Sequence, residues 1–427
     1  MITRRSLIGT GLAATAVGTT IGATSIAGLA EARDVPSLAA VARPKGIDIG
    51  AIFAPRQGAE MAALVRRHTT VIVPENALKP SRIAPARDVR QMAPAKAVYD
   101  FARANGLGFH GHTLFWHKRP LGWAMSDDPE QVKRDYGGYI REMIAAFPET
   151  VSWDVFNEIF AEKRRLRDDP FLNAHGIDLI AHCLQVAKSS NPAATLVIND
   201  YNLECAGTWC GQKRANALSV VGELIARGAP VDAIGIQGHL SSKYRPSGRK
   251  TLDFIRKLEH LGLDAHISEL DVNDVALSLD VARRDQEIAR YYGDFLGQVL
   301  KSGAVRRVTF WGLSDASHWI VKGYGGDTIT GGTPRPAIFD ADFAPKPAFD
   351  AVYRALEAAP ARQAPLTATQ AQAILSRGGY DPGRVDGAWG ARSQAALNRF
   401  LDGRGQATRP TPDDAALRLL RRHRAAP

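Results

Sequence analysis

At 427 residues, with 45% apolar and 23% charged residues, the chain has an ordinary globular composition and more length than one small core needs, so it holds either two or three domains or one barrel with an appendage. A net charge of +10 raises nucleic acid as a partner, but residues 361–427 hold much of the excess, with eleven arginines against five aspartates and neither lysine nor glutamate. That region has no aromatic RNA-binding motif and no zinc pattern, so no nucleic-acid partner is expected; a solvated basic surface is the first reading and an anionic cell-wall polymer the second.

The first element is an export signal. In "TRRSLIG" (3–9) two arginines precede a mildly apolar run, and "AEA" (30–32) offers a small-x-small cleavage site. Residues 1–32 read as a twin-arginine-type signal peptide, which would send the chain to the periplasm or beyond. The run is rich in Gly and Thr and makes a poor spanning helix, so no stable membrane insertion is expected.

From Gly46 to Asp315 one unit recurs: a short apolar run, a polar cluster, then a helical stretch. The strand candidates are "GIDIGAIF" (46–53), "TTVIVPEN" (69–76), "GFHGHTLFW" (108–116), "VSWDVFNE" (151–158), "TLVINDYN" (195–202), "AIGIQGHL" (233–240), "DAHISELDV" (264–272) and "RVTFWGLSD" (307–315). Between them, "DPEQVKRDYGGYIREMIAAF" (128–147) has helical apolar spacing with acids in its first turn, and "DFIRKLEHLG" (253–262) reads as a helix ending on glycine. Alternating strands and helices give a parallel α/β sheet. Eight even units over about 270 residues predict a closed (β/α)8 TIM barrel rather than an open doubly wound sheet, since no GxGxxG follows the first strand.

Seven of the eight strands end in a polar cluster: Glu75–Asn76, His112–Trp116, Asn157–Glu158, Asn199–Asn202, Gln237–His239, Glu269–Asp271 and Trp311–Asp315. In such a barrel that rim carries the active site. Its aromatic side chains beside polar forks suit sugar rings. Two clusters deliver a glutamate straight from an apolar run: Glu158 and Glu269, 111 residues apart, on the fourth and seventh strands. Glycoside hydrolysis uses such a pair, one carboxylic acid protonating the leaving oxygen and the other acting as nucleophile or as base. A gap of about 5–5.5 Å gives retention and roughly 6.5–9.5 Å inversion, and sequence leaves that choice open. Paired carboxylates could instead bind a metal, but no phosphate-binding loop accompanies them and tryptophans surround them; no metal and no cofactor are expected. A second carboxylate beside Glu158 would raise its pKa by like-charge repulsion.

The motifs "PENALK" (74–79), "GHTLFWH" (111–117), "WDVFNE" (153–158), "NDYNLE" (199–204), "GIQGHL" (235–240), "SELDV" (268–272) and "FWGLSDASHW" (310–319) occur one per strand. Together they resemble glycoside hydrolase family 10, the endo-β-1,4-xylanases, over residues 45–358. The resemblance implies double displacement on xylan with net retention. Glu158 would be the general acid/base and Glu269 the nucleophile. Asn157 would bind the 2-hydroxyl of the attacked sugar, and His239, backed by Asp271, would hold Glu269. Asn76, Lys79, His112 and Trp116 would line the glycone side; Trp311 and Trp319 would cover the sugar at the scissile bond. Tyr201 and Asn202 would lie on the leaving-group side, and Gln237 belongs to the same rim. His117 is open between core and site, whereas Trp153 and Phe156 read as barrel filling. The chain departs from the family at Lys118 and Arg119, where a small polar residue and Gln are usual, and at Pro80, where Trp is usual. Arg119 puts a glycone contact in doubt, which keeps a related retaining β-glycan hydrolase with another preferred polysaccharide as the alternative. A non-catalytic wall binder is opposed by the intact Glu158–Asn157 and Glu269–His239 sets.

The tail begins with an Ala/Pro-rich linker, 359–365. Beyond it, residues 366–401 read as two short helices around a Gly-rich turn, within a peptidoglycan-binding-like domain over 366–427. "GYDPGRVDGAWG" (379–390) with "SQAALNRF" (393–400) resembles a peptidoglycan-binding-type repeat, which makes peptidoglycan a candidate partner. Three cysteines complete the reading: Cys205 and Cys210 could close a small loop, with free thiols equally open, and Cys183 is left over.

Overall fold

Runs of Val, Ile and Leu without polar alternation should lie between two apolar layers, as strands of a parallel sheet do. The structure is a computed structural model; it describes residues 35–361 except Arg245, then 366–404, 406, 408–413, 416, 417, 419 and 420. The signal-peptide reading of residues 1–32 and most of the linker therefore lie outside the described residues. Among the described residues nine strands form: β1 Asp48–Ile52, β2 Val71–Val73, β3 Gly108–His112, β4 Thr150–Asn157, β5 Thr195–Asp200, β6 Ala233–Ile236, β7 His239–Ser241, β8 Asp264–Asn273 and β9 Val305–Phe310. β2 and β6 are buried throughout, as expected.

The pairings run β6-β5-β4-β3-β2-β1-β9-β8, and β6 also pairs with β8, so eight parallel strands close on themselves. This is the predicted (β/α)8 barrel. The eighth predicted strand is β9 because the sixth run, 233–240, splits in two. Gly238 takes φ +74°, a left-handed turn that ends β6 and lets the three-residue β7 start afresh. β8 then has two partners in sequence: β6 over 264–267 and β7 over 271–273. The residues between, Ser268–Leu270, carry Glu269.

Four of the barrel's longer helices open on a side-chain cap. Asp128 accepts from the Glu130 amide at 2.9 Å to open the helix Pro129–Ala146, and Asp169 and Asp280 do the same for Pro170–Ser190 and Val281–Val299. The run read as 253–262 belongs to a longer helix, Gly248–His260, capped by Ser247, with Gly262 just past its end at φ +84°. Trp153 and Phe156 are fully buried in the main core and take no part in the rim, Phe156 lying 4.9 Å from the Phe115 ring. Trp153 occupies space that a side chain at Gly111 would need: a Cβ there would sit 2.0 Å from the indole.

The helices Ala368–Arg377 and Ala391–Asp402 form a second unit. Its core, built on Leu366, Ile374, Leu375, Leu397, Phe400 and Leu401, is separate from the barrel core, which still includes Ala359. Gln372 sits buried at its centre, donating to the Ala388 carbonyl at 2.9 Å and accepting from the Gly387 amide at 2.9 Å, so the glycine-rich turn is tied to the first helix.

Candidate active site

Glu269 is buried on β8, and both its oxygens face donors. Oε1 accepts from Asn199 Nδ2 at 2.6 Å, and Oε2 lies 3.3 Å from His239 Nε2. The register of β7 on β8 places His239 directly beside Asp271, and Nδ1 meets Asp271 Oδ1 at 2.9 Å. The Trp319 indole donates to the other Asp271 oxygen at 2.6 Å. Burial by itself would lower the His239 pKa, but the Asp271 and Glu269 carboxylates outweigh it and hold it well above the usual value. An imidazolium so placed donates to both carboxylates. His318, 3.8 Å from Asp271, is instead brought down to about 4 by burial and is neutral above that pH.

Glu158 leaves the end of β4 with φ +61°, and Glu75 and Asn202 take the same left-handed conformation (φ +43° and +61°) just after β2 and β5. Non-glycine residues rarely accept it. At Glu158 two backbone bonds hold it: the amide donates to the Asn199 carbonyl at 2.7 Å and the carbonyl accepts from Arg167 Nε. The side chain points at a lysine and a histidine. Lys118 Nζ lies 3.6 Å and His117 Nε2 3.9 Å from Oε2, and that buried oxygen has no hydrogen bond of normal geometry. Burial pushes the Glu158 pKa up, yet Lys118, the Trp116 indole, His117 and Arg167 together pull it below the usual value. This corrects the sequence expectation of a raised pKa. A second carboxylate expected across the mouth suggested repulsion; in the folded chain Lys118 and its neighbours outweigh it.

Asn199 links the two sets. Its Nδ2 donates to Asn157 Oδ1 at 3.0 Å as well as to Glu269, and its Oδ1 accepts from Ser268 Oγ at 2.5 Å. Gln237 Nε2 adds a 3.4 Å contact to Asn157 Oδ1. A Cβ at Gly235 would fall 2.3 Å from Asn199 Oδ1, so the neighbouring strand must present glycine. The sequence puts Asn199 in a rim cluster but gives it no role, and its place in "NDYN" at a strand end is the signal that could have found it. Arg167 was missed too: it lies in an irregular loop.

The other predicted residues gather around the same mouth. Lys79 donates to Asn76 Oδ1 at 2.7 Å and stands 4.7 Å over the Trp116 ring, within the field of both Glu269 and Glu158. His112 is held by Asp154 at 2.8 Å and meets Trp311 edge-on at 5.2 Å. Trp311 packs on Ile52 and Val73 with Trp319 against it. The Tyr201 hydroxyl accepts from Arg167 Nη2 at 2.9 Å, with Lys213 3.8 Å over its ring, and the Asn202 amide donates to Glu204 at 3.1 Å. His117 is half-buried beside Glu158 rather than in the core. Pro80 opens the short helix Pro80–Ile83, and Arg119 is exposed on the neighbouring loop. Cys205 and Cys210 are bonded to each other, and Cys183 is free and buried.

A profile described as glycosyl hydrolase family 10 matches residues 37–355. The chain belongs to glycosyl hydrolase family 10. Among curated relatives, a protein named Beta-1,4-xylanase from Dictyoglomus thermophilum is 29% identical over 75% of this chain and 91% of its own length. One named Thermostable celloxylanase from Thermoclostridium stercorarium is 30% identical over 75% and 88%. The crystal structure of xylanase 10B from Thermotoga petrophila in complex with xylobiose superposes with a TM-score of 0.67 at 26% identity, covering 76% of this chain and 98% of that one. In this family-10 chain, then, the paired glutamates stand at the mouth of the barrel that the profile spans, and the second helical unit lies beyond the profile.

Proposed function

We propose that this protein is a retaining endo-β-1,4-xylanase in which Glu158 is the general acid/base and Glu269 the nucleophile. One observation carries the reading: two buried glutamates at the mouth meet at Asn199, whose side-chain amide bonds Glu269 and Asn157 and whose backbone carbonyl accepts from the Glu158 amide. Their surroundings differ as the two roles demand. Glu269 accepts from Asn199 and His239 and is aimed as a carboxylate, whereas Glu158 keeps Oε2 free of hydrogen bonds, able to give up and take back a proton. In the first step Glu269 bonds to the anomeric carbon as the glycosidic bond breaks, and the leaving oxygen takes the Glu158 proton. In the second, Glu158 takes a proton from water, whose oxygen displaces Glu269.

Xylan as the substrate is supported by the names of the relatives and by the xylobiose complex of the Thermotoga petrophila enzyme. The celloxylanase among the relatives, with Arg119 in place of the usual glutamine, supports a second reading: a related retaining hydrolase active on another β-1,4-glycan. Product analysis on plain xylan, decorated xylan and carboxymethylcellulose separates the two. Hydrolysis of none of them removes both. Proton NMR of the first product from a β-linked substrate should show the β-anomer; the α-anomer appearing first overturns Glu269 as nucleophile.

Two further parts of the proposal rest on sequence. Residues 366–427 are proposed to tether the enzyme to peptidoglycan, a folded appendage being the other reading, and a pull-down of residues 360–427 on purified peptidoglycan that recovers nothing sinks the tether. The twin arginines Arg4 and Arg5 direct export, and an R4K/R5K variant is expected to stay in the cytoplasm.

A further inference from the structure

Lys118 stands in the loop after β3 where the sequence departs from its family, and its ammonium lies 3.6 Å from the free oxygen of Glu158. Charged and polar groups from several elements surround that carboxyl. From the same loop come Trp116 and His117; from the loop after β4, Arg167; from β5 and just beyond, Asp200 and Tyr201; from after β2, Lys79; across the mouth on β8, Glu269. Most are already engaged. Arg167 is bonded to the Glu158 carbonyl and the Tyr201 hydroxyl, Asp200 to Lys213 at 2.8 Å, Lys79 to Asn76, and Glu269 to Asn199 and His239. His117 is brought down to about 4 by burial and by Arg167, so above that pH it carries no charge. Among the described residues Lys118 has no other carboxylate within ion-pair range, and it leans on the Trp116 ring at 5.5 Å.

We infer that Lys118 is the counter-ion of the acid/base carboxyl and sets the upper pH limit of the enzyme's glycosylation step. The inference rests on Glu158 being the acid/base. The sign follows from charge. A cation beside Glu158 favours its ionised form, and the ionised form has no proton for the leaving oxygen. Activity that needs the acid is therefore lost as pH rises through a pKa that Lys118 keeps low. Lys118 is half-exposed, with its side chain 57% accessible, so salt should screen its effect.

The test is the pH profile of kcat/KM on xylobiosides with a poor and a good leaving group. With a poor one, Lys118→Met should move the high-pH limb upward by roughly half to one pH unit. Lys118→Arg should leave it in place. Raising salt should shift the wild-type limb in the same direction and leave that of Lys118→Met alone. With a dinitrophenyl leaving group, which departs without protonation, neither variant should move the limb. A limb that stays put in Lys118→Met overturns the inference. Glu158→Ala gives the separate check. Activity kept on the dinitrophenyl substrate, and azide capture as a β-glycosyl azide, uphold the acid/base reading whatever Lys118 does. Their absence removes that reading and this inference with it.

Discussion

Asn199 makes three side-chain hydrogen bonds: to Asn157 at 3.0 Å, to Glu269 at 2.6 Å and from Ser268 at 2.5 Å. Asn157 and Glu269 belong to the proposed site, and Ser268 precedes Glu269 on β8. Replacing Asn199 with Ala removes one donor from Glu269 and one from Asn157 while leaving the backbone bond to Glu158 intact. Loss of a preorganised donor typically costs about 10²–10³-fold in turnover, and the acceptors left buried cost about 1–3 kcal/mol in stability. The expected signature is a fall in kcat much larger than any change in KM, with a modest drop in melting temperature. Kinetics on an aryl xylobioside and a thermal melt check it. A drop in stability with unchanged kcat refutes the linking role. His239 belongs to the same scale. Its charge exists only because Asp271 and Glu269 hold its pKa high, so Asp271→Asn should bring the imidazole's titration down. A histidine resonance followed by NMR should then titrate at lower pH in that variant than in the wild type.

At the scale of elements, two glycines decide where the site residues point. Gly238 turns left-handed between β6 and β7, and a Cβ there would also stand 3.1 Å from Ile267. Gly238→Ala should therefore displace β7 and draw His239 away from Glu269, costing about 1–2 kcal/mol in stability and more than that in activity. Gly111→Ala is the contrasting case. Its Cβ would enter the Trp153 ring in the main core, away from the rim, so the loss should fall on stability first, at about 1–3 kcal/mol or above. Melting temperature and kcat measured on both variants separate the two effects: Gly238→Ala is the more damaging to kcat, Gly111→Ala to the melt.

For the whole molecule, the barrel and the C-terminal helices have separate apolar cores. Units with separate cores unfold and act with little coupling. A chain ending at Ala361 is expected to keep its activity on soluble xylan to within about twofold and its barrel melting temperature to within a few degrees. Loss of activity in that chain would show that the second unit contributes to the barrel's function. The barrel, the rim and the two glutamates were legible in the sequence because each is a local pattern: a strand-length apolar run, its polar end, and the alternation with helices that forces parallel closure. What only the tertiary structure decided is how the rims meet. The Asn199 link needs β5 beside β4, with Glu269 reaching in from β8. The His239–Asp271 contact needs the register of a three-residue strand that the sequence merges with its neighbour. The sign of the Glu158 shift needs Lys118 at 3.6 Å. Hydrophobic periodicity acts between residues a few positions apart, and chain order records it; electrostatics and hydrogen bonding act over a few ångströms in space, and only the closed barrel sets those distances.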